Sequence, residues 1–167
     1  QGYGKIDGDS ASVTEVCALL SCIAEVPIKQ SLAITGSVNQ KGDIQPIGGV
    51  NEKIEGFFDI CKARGLTGKQ GVIIPQQNTS DLMLREEILG AVEENRFHIY
   101  PVAKVEEAIE ILTGYKAGTL LKTGKFEANT IYCEVEKKLK EMHIRIKPKT
   151  ENKTGVIKKA STTRKKK

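Results

Sequence analysis

Gly71-Val72-Ile73-Ile74-Pro75 is an unbroken apolar run. It is short, rich in β-branched residues, and lies between Gly68 and Asn78. That pattern reads as a strand covered on both faces, as strands inside a parallel sheet are. Parallel neighbours need crossover connections, and helical patterns flank the run on both sides. Upstream, Gly48-Gly49 opens a helix with Val50, Ile54, Phe57, Phe58 and Cys61 on its buried face, ending at Gly65 and Gly68. Downstream, Asn78, Thr79 and Ser80 offer helix caps ahead of Leu82. A helix is predicted over 85–94, a strand over 98–102, and a helix over 104–112 with Val105, Ala108, Ile109 and Leu112 on one face.

Further upstream, Leu32-Ala33-Ile34-Thr35-Gly36-Ser37-Val38 alternates large apolar with small or polar residues and reads as one strand. Leu32, Ile34 and Val38 face one way, and Ala33, Thr35 and Ser37 the other. A turn over 39–43 returns the chain into a short strand over 44–47. The first helix is predicted from Asp9 or Ser10 to about Val26, with Val13, Val16, Cys17, Leu20, Ile23 and Ala24 as its stripe. Pro27 ends it. Strands alternating with helices give an α/β (α+β) unit with a partly parallel sheet. Residues 114–126 read as a Gly- and Lys-rich linker. A last helix over 128–142 carries Ile131, Val135, Leu139 and Met142.

Composition narrows the function classes. The 167 residues suffice for a buried core without staples. No apolar run approaches the roughly 20 residues of a membrane span, and residues 1–5 lead into no signal-peptide core. Position 1 is not Met, so the chain is expected to begin inside a longer sequence. Trp is absent and aromatics are 5%, too few for a base-stacking platform. Cys17, Cys22, Cys61 and Cys133 form no C-x-x-C pair, and with only His98 and His143 beside them a zinc site is not expected. Cys17, Cys22 and Cys61 read as small core residues, and reduced thiols point to the cytoplasm. Charge is split along the chain. Residues 1–114 hold ten Lys+Arg against sixteen Asp+Glu, a net −6, and residues 115–167 hold sixteen against five, a net +11. The basic character therefore belongs to the C-terminal segment, not to the body.

Two residues invite chemistry. Ser10, in Ile6-Asp7-Gly8-Asp9-Ser10-Ala11-Ser12, stands where the first helix begins. Either it or Asp9 is an N-cap, or Ser10 is a nucleophile whose oxyanion would meet unpaired N–H groups at the helix start. A nucleophilic serine needs a base. His98 falls in a strand and His143 near the tail, which leaves a lysine held neutral. Lys53, in Gly48-Gly49-Val50-Asn51-Glu52-Lys53-Ile54, is either that base or a solvated lysine beside Glu52.

Three ordered motifs lie on these segments: Asp7-Gly8-Asp9-Ser10-Ala11-Ser12, Ala33-Ile34-Thr35-Gly36-Ser37, and Gln45-Pro46-Ile47-Gly48-Gly49-Val50-Asn51-Glu52-Lys53-Ile54-Glu55-Gly56, followed by Val72-Ile73-Ile74-Pro75 and Asn78. Together they resemble the proteolytic domain of Lon proteases, of the B-type and its bacterial Lon-like relatives. The 43-residue step from Ser10 to Lys53 matches the family's Ser–Lys spacing. The resemblance runs from about residue 3 to 114, and more weakly to 146. It implies a ribosomal-protein-like two-layer fold with a partly parallel sheet, here without the family's N-terminal β-rich portion. By the same resemblance, Ser10 is the nucleophile, Lys53 the general base, Thr35 the hydroxyl that orients the amine, and Asp7 and Asp9 supporting acids. Asp9 stands where the A-type has proline, which places the chain outside the A-type. A lysine is protonated at neutral pH unless burial holds it neutral; Val50, Ile54 and the strand of Ile34 favour that, and a carboxylate from Asp7 opposes it. An idle state with Asp7 against Lys53 and an active state with Asp7 turned away follow.

The resemblance implies three regions: 1–114 as the C-terminal part of the proteolytic domain, 115–146 as linker and helix, and 147–167 as a basic tail. It implies unfolded or regulatory protein substrates and a homo-oligomeric ring, a hexamer. No cofactor is expected in this chain, and ATP with Mg is implied for an ATPase module outside it. Gly118 to Gly124-Lys125 has five residues between its glycines and Phe126 after the lysine, so it is no phosphate-binding loop. With nine residues ahead of Ser10, part of the substrate wall is expected to be missing and the fragment weakly active or inactive. The rival reading is a non-catalytic α/β binding module whose tail, with Lys158-Lys159 and Arg164-Lys165-Lys166-Lys167, makes weak polyanion contacts with nucleic acid.

Overall fold

The computed structural model describes residues 8–146. At its centre β4 (Gly71–Pro75), buried at every position, pairs in parallel with β1 (Leu32–Ile34) on one side and β5 (His98–Val102) on the other. The register sets Ile34 beside Ile73, and Gly71 beside both Leu32 and His98. A β-carbon at position 71 would stand 2.7 Å from the His98 carbonyl oxygen, so only glycine lets β5 approach there.

Helices lie on both faces, and the alternation along β4 decides which core each residue joins. Val72 and Ile74 pack with Val50, Ile54 and Phe58 of α2 (Val50–Arg64), with Ile88 and Ala91 of α3 (Glu86–Glu93), and with Phe97. Phe58 meets Phe97 edge-on at 5.2 Å. Ile73 belongs to the opposite core, with Val13 and Cys17 of α1 (Ser12–Ala24), Val105, Ile109 and Leu112 of α4 (Val105–Thr113), and Ile131 of α5 (Ile131–Ile146). Leu32, Ile34 and Val38 pack on this side and Ala33 on the other, as the alternation predicts. The fold is α/β with a partly parallel sheet.

Five expectations are corrected. The strand over 32–38 divides: β1 ends at Ile34, and β2 (Ser37–Val38) joins a separate antiparallel pair with β3 (Ile44–Gln45). Gly36 makes the step, packed so closely that a β-carbon would sit 3.1 Å from Ile44 and 3.2 Å from Val13. Asn78, Thr79 and Ser80 cap no α-helix; they lie in a 3-10 turn, Gln76–Asp81. The buried Asn78 amide instead pairs with both backbone groups of Ile47 and with Asp81. Cys22 is exposed, while Cys17 and Cys61 are buried. Residues 114–126 are tied to the body: Ala117 is buried and its N–H donates to Glu110. On α5, Ile131 and Val135 are buried, but Leu139 and Met142 are about half exposed. Lys138 pairs at 2.8 Å with Glu25, the residue that ends α1, and the helix runs on beyond that point.

Candidate active site

The site forms where α1 begins, beside the C-terminal end of β1. Helix α1 starts at Ser12, its N-cap is Ala11, and no side chain caps it. The capping reading of Asp9 and Ser10 is thereby corrected, because both side chains are committed elsewhere. The Asp9 carboxylate accepts a hydrogen bond from Ser37 Oγ, and Ser10 Oγ accepts one from Lys53 Nζ at 2.8 Å.

Thr35 connects the two halves of the site. Its N–H continues the β-ladder to the Ile73 carbonyl at 3.1 Å. Its Oγ1 donates to the Ser10 carbonyl at 3.1 Å and accepts from Lys53 Nζ at 3.4 Å. The Ser10 carbonyl takes a second bond from the Gly36 N–H at 2.9 Å. Lys53 arrives from the first turn of α2. That helix begins at Gly49, whose left-handed conformation (φ 68°) favours glycine. Just before it, Ile47 is fixed by the Asn78 amide at 2.9 and 3.0 Å.

Ser10, Thr35 and Lys53 line a hollow of about 290 Å³ with Ala11, Thr14, Ala33, Ile34 and Val72. The floor is mostly aliphatic. Thr14, one turn beyond Ser10, donates to the Ile34 carbonyl at 3.1 Å. At the helix start, the Ser12 and Val13 N–H groups are spent on the carbonyls of Asp9 and Gly36. The expectation that Lys53 is shielded by its neighbours is not met. Val50 and Ile54 turn into the core, whereas Lys53 is exposed. Asp7, and with it the expected Asp7–Lys53 pair, lies outside the described residues. His98 sits at the other end of the sheet with Nε2 2.8 Å from the Gly68 carbonyl, and His143 is on α5.

Sequence reasoning left Ser37 and Asn78 without a role at the site. The signal for Ser37 was its place on the Thr35 face of the alternation. Asn78 gave no local signal, because its partner is 31 residues away.

The pattern of the Lon protease (S16) C-terminal proteolytic domain matches residues 2–114. The chain belongs to this family. A Lon protease homolog of Escherichia coli (strain K12) is 58% identical over 112 residues, which are 67% of this chain and 19% of that protein. One of Haemophilus influenzae is 53% identical over 114 residues, 68% of this chain and 19% of that protein. An archaeal Lon protease of Halobacterium salinarum is 38% identical over 110 residues, 66% of this chain and 14% of that protein. The chain thus spans about a fifth or less of these Lon relatives. Among the described residues no helix is long and apolar enough to cross a membrane.

Proposed function

We propose that this Lon-family domain is the proteolytic part of a serine endopeptidase that cleaves peptide bonds with a Ser10–Lys53 dyad. The observation that carries the reading is the 2.8 Å contact between Lys53 Nζ and Ser10 Oγ across 43 residues of sequence. A neutral Lys53 amine takes the Ser10 proton along that line, and Ser10 Oγ attacks the substrate carbonyl. The Ser12 and Val13 amides are engaged, and the N–H groups of Ser10 and Ala11, beside the nucleophile, would serve the oxyanion. The Lys53 ammonium then gives its proton to the leaving amine, and water releases the acyl group. Thr35 Oγ1, fixed by its own bond to the Ser10 carbonyl, keeps the amine on the nucleophile.

The exposure of Lys53 sets a requirement. Cover from water favours the neutral form of an amine. A peptide filling the aliphatic hollow would supply part of that cover. In the full-length protein we infer that ATP hydrolysis by a separate module feeds unfolded or regulatory protein substrates to a ring of these domains. The basic arm of the rival reading, 147–167, lies outside the described residues.

A serine-reactive fluorophosphonate probe tests the dyad. It should label Ser10 in the full-length protein and fail to label the Lys53→Ala variant. Equal labelling of both overturns the reading.

A further inference from the structure

We propose that Ser37 is a positioning residue for the nucleophile, acting through Asp9 on the turn that carries Ser10. The proposal rests on the dyad reading above and assigns to β2 a part in it.

Ser37 is 4% exposed, and a buried hydroxyl must find a partner. Its partner is the carboxylate of Asp9, a charge-assisted bond that spans 28 residues of sequence. Asp9 itself is exposed, so water would satisfy its carboxylate without Ser37. What the bond changes is the freedom of the turn. Upstream of Asp9 stands Gly8, with φ 84° and nothing within 4 Å of where its β-carbon would be. Among the described residues, the Asp9 carboxylate is therefore the one side-chain anchor on that flank of Ser10. On the other flank Ser12 Oγ accepts the Val38 N–H at 3.0 Å. Between them the Ser10 carbonyl is held by Gly36 and Thr35. Four consecutive residues, 35–38, thus grip residues 9–12 and leave Ser10 Oγ free for Lys53.

This arrangement positions the nucleophile without touching the reacting atoms. Releasing one flank lets Oγ drift from the amine, and misplacement on the ångström scale costs up to about 100-fold in rate. Ser37→Ala in the full-length protein should slow both peptide cleavage and fluorophosphonate labelling of Ser10 about tenfold. KM and the pH–rate profile should stay unchanged, because neither the hollow nor the base is altered. Asp9→Asn keeps an oxygen that can accept from Ser37, though without the charge, and should lose less than Asp9→Ala, which should match Ser37→Ala. The double variant should be no slower than either single, since the two side chains share one bond.

Wild-type labelling by a folded Ser37→Ala overturns the proposal. So do multiplicative losses in the double variant, or an Asp9→Asn variant that shifts the pH profile and is as slow as Asp9→Ala, since the acid would then act by its charge. Should Ser37→Ala melt at the assay temperature, the exposed position 9 carries the same comparison. If labelling of the wild type does not depend on Lys53, the dyad fails; if it does and Ser37→Ala labels normally, only the positioning role fails.

Discussion

Thr35→Val is the most informative single substitution. It replaces a hydroxyl by a methyl of nearly the same shape, at a position 9% exposed. The change deletes two hydrogen bonds, to the Ser10 carbonyl at 3.1 Å and from Lys53 Nζ at 3.4 Å. It leaves no buried group wholly orphaned: the Ser10 carbonyl keeps the Gly36 N–H at 2.9 Å, and the exposed amine keeps Ser10 Oγ and solvent. The cost to folding is therefore the net value of two ordinary hydrogen bonds, about 1–2 kcal/mol. The cost to catalysis is of similar size, because the amine loses the one fixed group besides the nucleophile that orients it among the described residues. That amounts to roughly 5- to 30-fold in kcat. Thr35→Ser restores Oγ and should recover the rate to within about threefold, the remainder reflecting a freer χ1. Steady-state cleavage of an internally quenched peptide by the full-length protein, with urea midpoints for each variant, measures both effects. An unimpaired Thr35→Val, or a Thr35→Ser as slow as Thr35→Val, would refute the reasoning.

Two further outcomes follow from the surroundings of the site. Asn78→Ala strips three hydrogen bonds of 2.9–3.0 Å from a side chain 3% exposed, and leaves the Ile47 N–H and C=O without their partner. It should cost about 2–4 kcal/mol in urea denaturation and slow Ser10 labelling as well, since Ile47 leads into the helix of Lys53. Burial pushes the Cys17 thiol up to about 11, so above pH 9 the unfolded chain loses a proton that the folded chain keeps. Stability should then fall as pH rises from 9 toward 11, by on the order of 2 kcal/mol in all. Burial raises Cys61 and Tyr132 as well. The check is therefore the difference between wild type and Cys17→Ala in denaturation at pH 8 and pH 10; an identical pH dependence refutes the assignment.

What the sequence made legible was the local part of the structure. The β4 run and the α2 stripe announce their elements because apolar spacing alone defines them. Ser10 and Lys53 stood out because each lies at the start of a helix in a glycine-marked segment. What stayed hidden depends on partners far away in sequence. The period-two pattern continues through Thr35-Gly36-Ser37-Val38, so nothing local marks the change of sheet; the close packing of Gly36 on Val13 and Ile44 does. Asn78 has the composition of a cap, but Ile47 offers its amide two bonds instead. Cys22 lies five residues from Cys17, roughly 140° around the helix, and so leaves the buried face. Leu139 and Met142 continue a true stripe, on a helix that outruns its neighbour.

The division of the 32–38 segment is what brings the two candidate residues together. Had the strand continued in one sheet past Ile34, Gly36 would have spent its backbone groups on a neighbouring strand. Instead only Thr35 extends the ladder; Ser37 and Val38 pair with β3, and the Gly36 N–H and carbonyl, the Ser37 hydroxyl and the Val38 N–H turn to residues 9–13. The Gly36 N–H and Thr35 Oγ1 hold the Ser10 carbonyl, and the Gly36 carbonyl takes the Val13 N–H, so α1 is docked by its first turn onto the end of β1. Lys53 comes to the same point by a separate route, through Asn78, Ile47 and the left-handed Gly49. The Ser10–Lys53 contact is thus the meeting of two independently tethered turns. Side chains that never reach the reacting atoms can therefore set the distance between them.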